Sequence, residues 1–198
     1  AGDRQAGQQV PQLGALQPHP DRTHQRVRGD LVLRGDAAAV ADDLPFRAVV
    51  ADSFYGEDAG FRQRLHELAV GYVLALKPSH TWWHQEGAVG ALWQAAEAAG
   101  WRDAAAPGAW VAVERTFRDG HTEDWWALEV EAGPYGPPGG RRAVVATTDP
   151  ATLPGHTTWY LATNLPPGDV ELAEAVRLYG LRMWVEQGYK QTKYALGW

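Results

Sequence analysis

Two apolar runs separated by one helix-length segment constrain the fold more than any other feature of the chain. Residues 46–51 and residues 72–77 are almost continuously apolar, which is typical of strands buried on both faces of a parallel sheet. Residues 57–69 between them begin with two acids and carry apolar side chains at helical spacing. Because two consecutive strands joined by a helix run in parallel, the segment predicts a βαβ unit and an α/β fold.

The rest of the chain predicts further strands and one long closing helix. A helix is expected over residues 87–99. Alternating or apolar patterns predict strands at 110–117, 122–131, 142–147 and 158–163, the first two joined by an Asp119-Gly120 hairpin turn. The closing helix is predicted over about residues 169–197.

The first part of the chain has a different character. Residues 1–44 are rich in Gln, Arg, Asp, Gly and Pro, and neither the strand period nor the helix period fits them, apart from a short apolar run at 31–33. We therefore predict a poorly structured or atypical segment at 1–44 and one folded unit at 45–198.

Composition excludes several classes of protein. The formal net charge of −6 argues against a free-standing nucleic-acid-binding module, because lysines and arginines that neutralise phosphates supply most of such affinity. The chain has no Cys, which excludes disulfides and thiolate metal sites. No apolar run is long enough to span a bilayer and no signal-peptide pattern is present. The absence of Cys favours a reducing compartment, so the expected location is the cytoplasm.

Four polar residues of the closing helix share one stripe. Tyr179, Arg182, Glu186 and Lys193 fall within about 60° of one another at 100° per residue. Residues at these spacings often form only a solvated face with weak ion pairs. The opposite side carries Leu181, Trp184, Gly188 and Ala195, and we expect that apolar side to pack on the sheet.

A second candidate site residue lies at the end of the first predicted strand. Asp52 follows the apolar run directly, and the carboxyl ends of parallel strands form the crevice where open α/β sheets bind ligands. The alternative is that Asp52 is a helix cap or a turn residue.

Taken together, these two segments resemble a known family. The spacing Tyr179-x2-Arg182-x3-Glu186-x6-Lys193 resembles the signature around the third catalytic acid of one branch of the DDE transposases, the insertion-sequence enzymes with an RNase H-like core. The block from Val49 to Gly56, an apolar strand ending in Asp52 and followed by Tyr-Gly, is similar to the second-acid block of that family.

The resemblance implies a fold and a chemistry. The fold would be a partial RNase H-like core, with a β-rich insertion over about residues 79–156 before the final helix. Asp52 and Glu186 would be catalytic acids that hold divalent ions, two Mg²⁺ or Mn²⁺ in a complete site. The DNA of the transposon ends would be the substrate and a second transposase protomer a further partner, with DNA contacts from Trp159, Tyr179, Arg182 and Lys193. The resemblance also implies a bacterial-type cytoplasm, in association with the nucleoid.

One part of the family pattern is not recognisable. A DDE site needs a first Asp on an earlier strand, but only 51 residues precede Asp52, and Asp30 and Asp36 are the only candidates there with any apolar context. We therefore expect a truncated, inactive transposase fragment. Two alternatives remain, namely a metal-dependent nuclease with the same core and a non-catalytic remnant that binds DNA or an intact transposase.

Overall fold

The computed structural model describes residues 46–83, 89–117, 119–131, 142–155, 157–166 and 169–197. The expectations for residues 1–44, including Asp30 and Asp36, lie outside these ranges. Within them, the chain forms a six-stranded sheet with helices on both faces and a separate two-stranded sheet. The predicted α/β class is confirmed.

The βαβ unit forms close to its predicted position. Strand β1 (Val49–Ala51) pairs in parallel with β2 (Tyr72–Leu76). The connecting segment forms two helices, α1 (Ser53–Gly56) and α2 (Ala59–Glu67), where the sequence predicted one. The break arises because the Asp58 carboxylate accepts hydrogen bonds from the first backbone N–H groups of α2 and so begins a new helix.

The remaining elements follow the predicted order. The strands are β3 (Thr81–Trp83), β4 (Val89–Ala91), β5 (Val111–Thr116), β6 (Thr122–Glu131), β7 (Arg142–Thr147) and β8 (Trp159–Thr163). The helices are α3 (Leu92–Glu97), a 3₁₀ turn (Pro150–Thr152) and α4 (Asp169–Leu196). The small β3–β4 sheet was not predicted, and its second strand takes the beginning of the expected 87–99 helix.

All four strands predicted after the βαβ unit belong to one sheet with the parallel pair. The strand order is β1-β2-β8-β7-β6-β5, and every pairing except β1–β2 is antiparallel. The β-rich part of the chain is therefore continuous with the parallel strands through β8, which pairs directly with β2.

The sheet is buried on both faces. Side chains alternate across a strand, so Tyr72, Leu74 and Leu76 of β2 pack in a core with α2 and α3, whereas Val73 and Ala75 pack in a second core under α4. A strand with two buried faces needs apolar residues at every position. This requirement explains the continuous apolar run that predicted β2.

Helix α4 packs on the sheet along its first half only. Its buried side chains Leu172, Ala175 and Val176 lie seven, four and three residues before Tyr179, and therefore on the same side of the helix as Tyr179. From Val185 to Gly197 every residue is exposed. No helix within the described ranges is long and apolar enough to cross a membrane.

The predicted orientation of α4 is therefore wrong for three of its four residues, since among them only Leu181 packs against the core under α4. Trp184, on the side expected to pack on the sheet, lines an open cavity, and Gly188 and Ala195 on that side are exposed. Helix α4 contacts β1 and β5, the strands at opposite edges of the sheet, so the sheet curves around its first half. Helical periodicity predicts which residues share a side but does not identify the side that a curved sheet covers.

A buried ion pair holds the segment that leads into α4. The Arg142 guanidinium on β7 pairs with the carboxylate of Glu129 on the neighbouring strand β6. Its Nη1 also donates to the carbonyl oxygens of Leu165 and Pro166, both at 2.6 Å. The arginine therefore connects two strands to the chain that follows β8.

We expect Tyr160→Phe to leave stability unchanged or to raise it by up to about 2 kcal/mol, because it removes a buried hydroxyl that lacks a hydrogen-bond partner within the described ranges. Burial raises the pKa of Tyr160 to about 12. The folded state therefore favours the protonated phenol, and the wild-type chain should lose stability as pH rises from about 10.

Urea unfolding of both proteins at neutral pH and at about pH 11, between the two pKa values, measures this effect. The control is Tyr194→Phe at a position that is 86% exposed. A phenylalanine variant less stable than wild type at both pH values would contradict the prediction.

Candidate active site

Asp52 lies between the end of β1 and the start of α1. Its Oδ1 accepts a hydrogen bond from the backbone N–H of Phe54 at 3.0 Å, which caps α1. Its Oδ2 lies 3.4 Å from Nη2 of Arg182 on α4. The capping role expected as an alternative is therefore present, and it uses one oxygen while the other oxygen faces α4.

Arg182 brings the two predicted acids together. The same Nη2 that faces Asp52 lies 2.5 Å from Oε1 of Glu186, one helical turn further along α4. The carboxylates are 45% and 49% exposed, so solvent and ligands can reach both. Two acids that are 134 positions apart in the sequence thus meet at one guanidinium.

Tyr179 lies beside this group and is half-buried. Burial raises the pKa of its phenol, and the neighbouring Arg182 partly opposes that shift. The phenol therefore stays protonated at neutral pH and keeps an O–H donor close to the acids. Its ring meets the ring of Trp159 edge to face, with the centroids 5.0 Å apart.

Trp159, the first residue of β8, belongs to an aromatic cluster between the sheet and α4. Its ring centroid lies 4.4 Å from that of Trp125 on β6. The guanidinium carbon of Arg115 lies 4.7 Å from the same ring of Trp159. The tryptophan is partly exposed and reaches the acids only through Tyr179.

Arg115 on β5 was not predicted as a site residue. Its side chain is only 8% exposed, and its guanidinium lies over Phe117, Trp125 and Trp159. Burial lowers its pKa. The signal in the sequence was its position, because Arg115 stands at an inward-facing place in a strand whose alternate residues are exposed.

Gly180 makes room for Arg115. A Cβ atom at that position would lie 3.1 Å from Nε of Arg115, so glycine lets the guanidinium lie close against α4. Gly188, which the sequence also suggested as a packing position, has open space around it.

Lys193 is not brought to the acids. It follows Glu186 by seven residues, which places it roughly 10 Å further along the helix axis at the usual helical rise, on the exposed part of α4. The structure therefore groups Asp52, Tyr179, Arg182 and Glu186, with Trp159 at the edge of the group and Lys193 apart from it.

The donor set at this site suits a hard divalent cation. Carboxylate oxygens are the ligands that Mg²⁺ prefers, and Mg²⁺ often binds through one or two carboxylates together with substrate phosphates. Asp52 and Glu186 supply two carboxylates that face the same point. Within the described ranges, no group of three or more His, Cys, Asp or Glu residues could hold a metal ion.

Comparisons with known proteins agree with the sequence resemblance. A family model described as DDE superfamily endonuclease matches residues 10–125, a stretch that includes Asp30, Asp36 and Asp52 and ends before Glu186. The chain is 34% identical over 154 residues to a probable transposase for insertion sequence element IS701 from Microchaete diplosiphon. The alignment covers 77% of this chain and 35% of that protein, so the chain spans about a third of the relative's length.

The mixed six-stranded sheet with helices on both faces is consistent with the RNase H-like fold expected for this family. DDE superfamily endonucleases generally use divalent metals, in agreement with the chemistry of the two carboxylates. The family match extends over more than half of the chain. The chain belongs to the DDE superfamily, among the insertion-sequence transposases.

Proposed function

We propose that this chain supplies part of the catalytic centre of a transposase, which cuts DNA at transposon ends and joins it to a new site by phosphoryl transfer. The observation that carries the proposal is the meeting of Asp52 and Glu186 at Arg182. These two acids match the second and third acids of the family pattern, and they come from a strand end and a helix that are remote in sequence. A chance solvated stripe on α4 would not require an acid at the end of β1.

Asp52 and Glu186 would hold the divalent ions, Mg²⁺ or Mn²⁺, of which a complete site takes two. When bound, such ions activate a water or a 3′-hydroxyl and stabilise the leaving oxygen. Asp52 is oriented for this role by its cap on α1, which keeps one oxygen free to face the site. Glu186 is oriented by α4.

Arg182 would act in two states. Without a cation, its guanidinium bridges the two carboxylates and offsets one of their two negative charges, which reduces their mutual repulsion. When a cation takes its place, the guanidinium is released and can bind a DNA phosphate through its planar fork. Tyr179 would donate to the same phosphate, and Trp159 would stack on a flipped base. Lys193 would meet the DNA further along α4.

We further propose that the chain alone does not cleave DNA. A DDE centre uses three acids, and the described residues bring no third acid to Asp52 and Glu186. Robust Mg²⁺-dependent cleavage of transposon-end DNA by the chain on its own would overturn this part of the proposal.

Binding of Mn²⁺ to the isolated chain, followed by calorimetry or by the paramagnetic signal of free Mn²⁺, tests the proposed site. We expect Asp52→Asn and Glu186→Gln each to weaken binding by about tenfold or more, since loss of a ligand should cost at least as much as loss of a supporting residue. Asparagine is also a good N-cap, so Asp52→Asn should keep α1. Arg182→Gln should strengthen binding, because it removes a competing cation.

The matched control is Glu97→Gln, which removes one exposed acid from α3 at the opposite face of the sheet. Equal Mn²⁺ affinity in the wild-type chain, the two acid variants and this control would contradict the assignment of Asp52 and Glu186 as ligands.

Two alternative functions give different results. A nuclease with the same core would cut DNA without joining it, so an assay that scores both products separates a nuclease from a transposase. A binding remnant would keep its affinity for DNA almost unchanged in Glu186→Gln, whereas an enzyme would lose turnover.

A further inference from the structure

Two neighbouring cavities lie on the side of α4 away from the acids. The larger has a volume of about 600 Å³ and the smaller about 550 Å³, and Arg115, Phe117 and Trp184 border both. Trp184 is five residues after Tyr179, so it points to the other side of the helix. We call the larger one the arginine cavity, because its lining has three arginines, Arg47, Arg115 and Arg177, against two glutamates, Glu114 and Glu174.

The charged residues around the arginine cavity differ in whether they have an ion-pair partner. Glu174 pairs with Arg177 at 2.6 Å and with Arg47 at 3.0 Å, and the Arg177 guanidinium lowers the pKa of Glu174. Arg115 has no carboxylate oxygen within 4.0 Å among the described residues, and the Glu123 carboxylate attracts it from further away. Its Nη2 contacts the sulfur of Met183, a weak acceptor, at 3.9 Å.

A guanidinium that is more than nine-tenths buried with no carboxylate in contact is costly, because burial removes the water that would stabilise its charge. The rings of Phe117, Trp125 and Trp159 offset part of this cost through cation–π contacts. They supply no negative charge. An anion in the cavity would supply it and would also find Arg47 and Arg177 at the rim.

We propose that Arg115 and the arginine cavity bind a backbone phosphate of DNA, at a site separate from the acid pair. This inference rests on the proposed function, which makes DNA the substrate of the chain. Arginine forks match phosphate oxygens, and the exposed faces of aromatic residues such as Trp184 suit the sugars and bases beside a phosphate.

The spacing of the two sites also fits DNA. A helix with its side chains is roughly 10–12 Å across, and each DNA strand carries a phosphate about every 3.4 Å of axis. One bound DNA therefore needs only a few nucleotides to reach from Arg182 to Arg115. Helix α4 would lie between two phosphate contacts and would fix the direction of the DNA over the acids.

Titration of the full chain with a short fluorescently labelled DNA duplex at several salt concentrations tests the site. We expect Arg115→Met to lower affinity and to reduce the slope of log affinity against log salt by about 0.9, which is the contribution of one phosphate contact. Between 50 and 200 mM salt, the factor by which affinity falls should therefore be about 3.5 times smaller in the variant than in the wild type. Arg64→Met removes one exposed positive charge from α2 and should leave the slope unchanged.

Footprinting of the wild-type chain avoids any effect of the substitution on folding. Met183 is the single methionine of the chain and is 43% exposed beside Arg115. Hydroxyl-radical oxidation of Met183 and Trp184 should fall several-fold when DNA is bound. Oxidation of Trp101, which is partly buried against the core on the opposite face of the sheet, should not change.

The outcomes separate the two proposals. DNA binding with no protection of Met183 and Trp184 and no change in salt slope would overturn the phosphate site and leave the proposed function in place. A wild-type chain that binds no DNA would overturn both. If Arg115→Met instead abolished self-association without altering DNA affinity, the cavity would belong to a contact between copies, and the proposal would be wrong.

Discussion

Gly56→Ala should destabilise the chain by about 3 kcal/mol or more and should also disturb the acid pair. A Cβ atom at this position would lie 1.7 Å from the carbonyl oxygen of Ala75 on β2. That contact is with backbone, so no side chain can move aside and α1 itself must shift. Forced overpacking of this kind typically costs 1–3 kcal/mol and occasionally more, and this contact belongs at the upper end.

The shift would reach the site because Asp52 caps α1. Urea unfolding measures the stability loss, and Mn²⁺ binding by the fraction that remains folded measures the loss at the site. Gly188→Ala is the matched control, since Gly188 has open space around it and lies within α4. There the same substitution should stabilise the chain by about 0.5–1 kcal/mol. Equal effects at the two positions would contradict the close packing of α1 on β2.

Arg142→Met should cost about 3–5 kcal/mol, because it leaves the carboxylate of Glu129 without its partner in a largely buried place. It also removes the donor to the carbonyl oxygens of Leu165 and Pro166. The segment before α4 would lose its attachment to the sheet. Since α4 carries Arg182 and Glu186, we expect weaker Mn²⁺ binding as well as lower stability.

The double variant Arg142→Met with Glu129→Leu should recover part of the lost stability, because replacing both partners of a buried pair removes the uncompensated charge. The two carbonyl oxygens would still lack a donor, so recovery should be incomplete. Arg64→Met, which breaks an exposed pair on α2, should change stability by less than about 1 kcal/mol. If Arg142→Met also changed stability by less than about 1 kcal/mol, the buried pair would not be what holds the segment before α4.

The two substitutions clarify how the fold positions the acids. Asp52 depends on α1, and α1 fits against β2 because residue 56 is glycine. Glu186 depends on α4, and the attachment of the preceding segment to the sheet depends on Arg142. Neither Gly56 nor Arg142 touches the site, yet each controls the element that carries one acid. Close packing of α1 on β2 therefore explains why the Tyr-Gly block after Asp52 has a glycine at position 56.

The parts of the fold that were predictable depend on neighbours in the sequence. Continuous apolar runs predicted β1 and β2, alternation and an Asp-Gly turn predicted β5 and β6, and the strand predicted at 142–147 formed as β7. Fixed spacings within short segments also pointed to Asp52 and Glu186 and to the transposase family, which the family match supports. Short-range periodicity carries such information because it reflects which side of one element is buried.

Only the tertiary structure decided how these elements meet. The sequence determined the family, the α/β class and the two candidate acids. It did not determine that β5–β8 extend the same sheet, that Arg182 lies between Asp52 and Glu186, or that Arg115 is buried under α4 without a carboxylate partner among the described residues. The physical reason is that these contacts join residues far apart in the chain. Their geometry depends on the curvature of the sheet and on the side of α4 that it covers, and no local pattern encodes either.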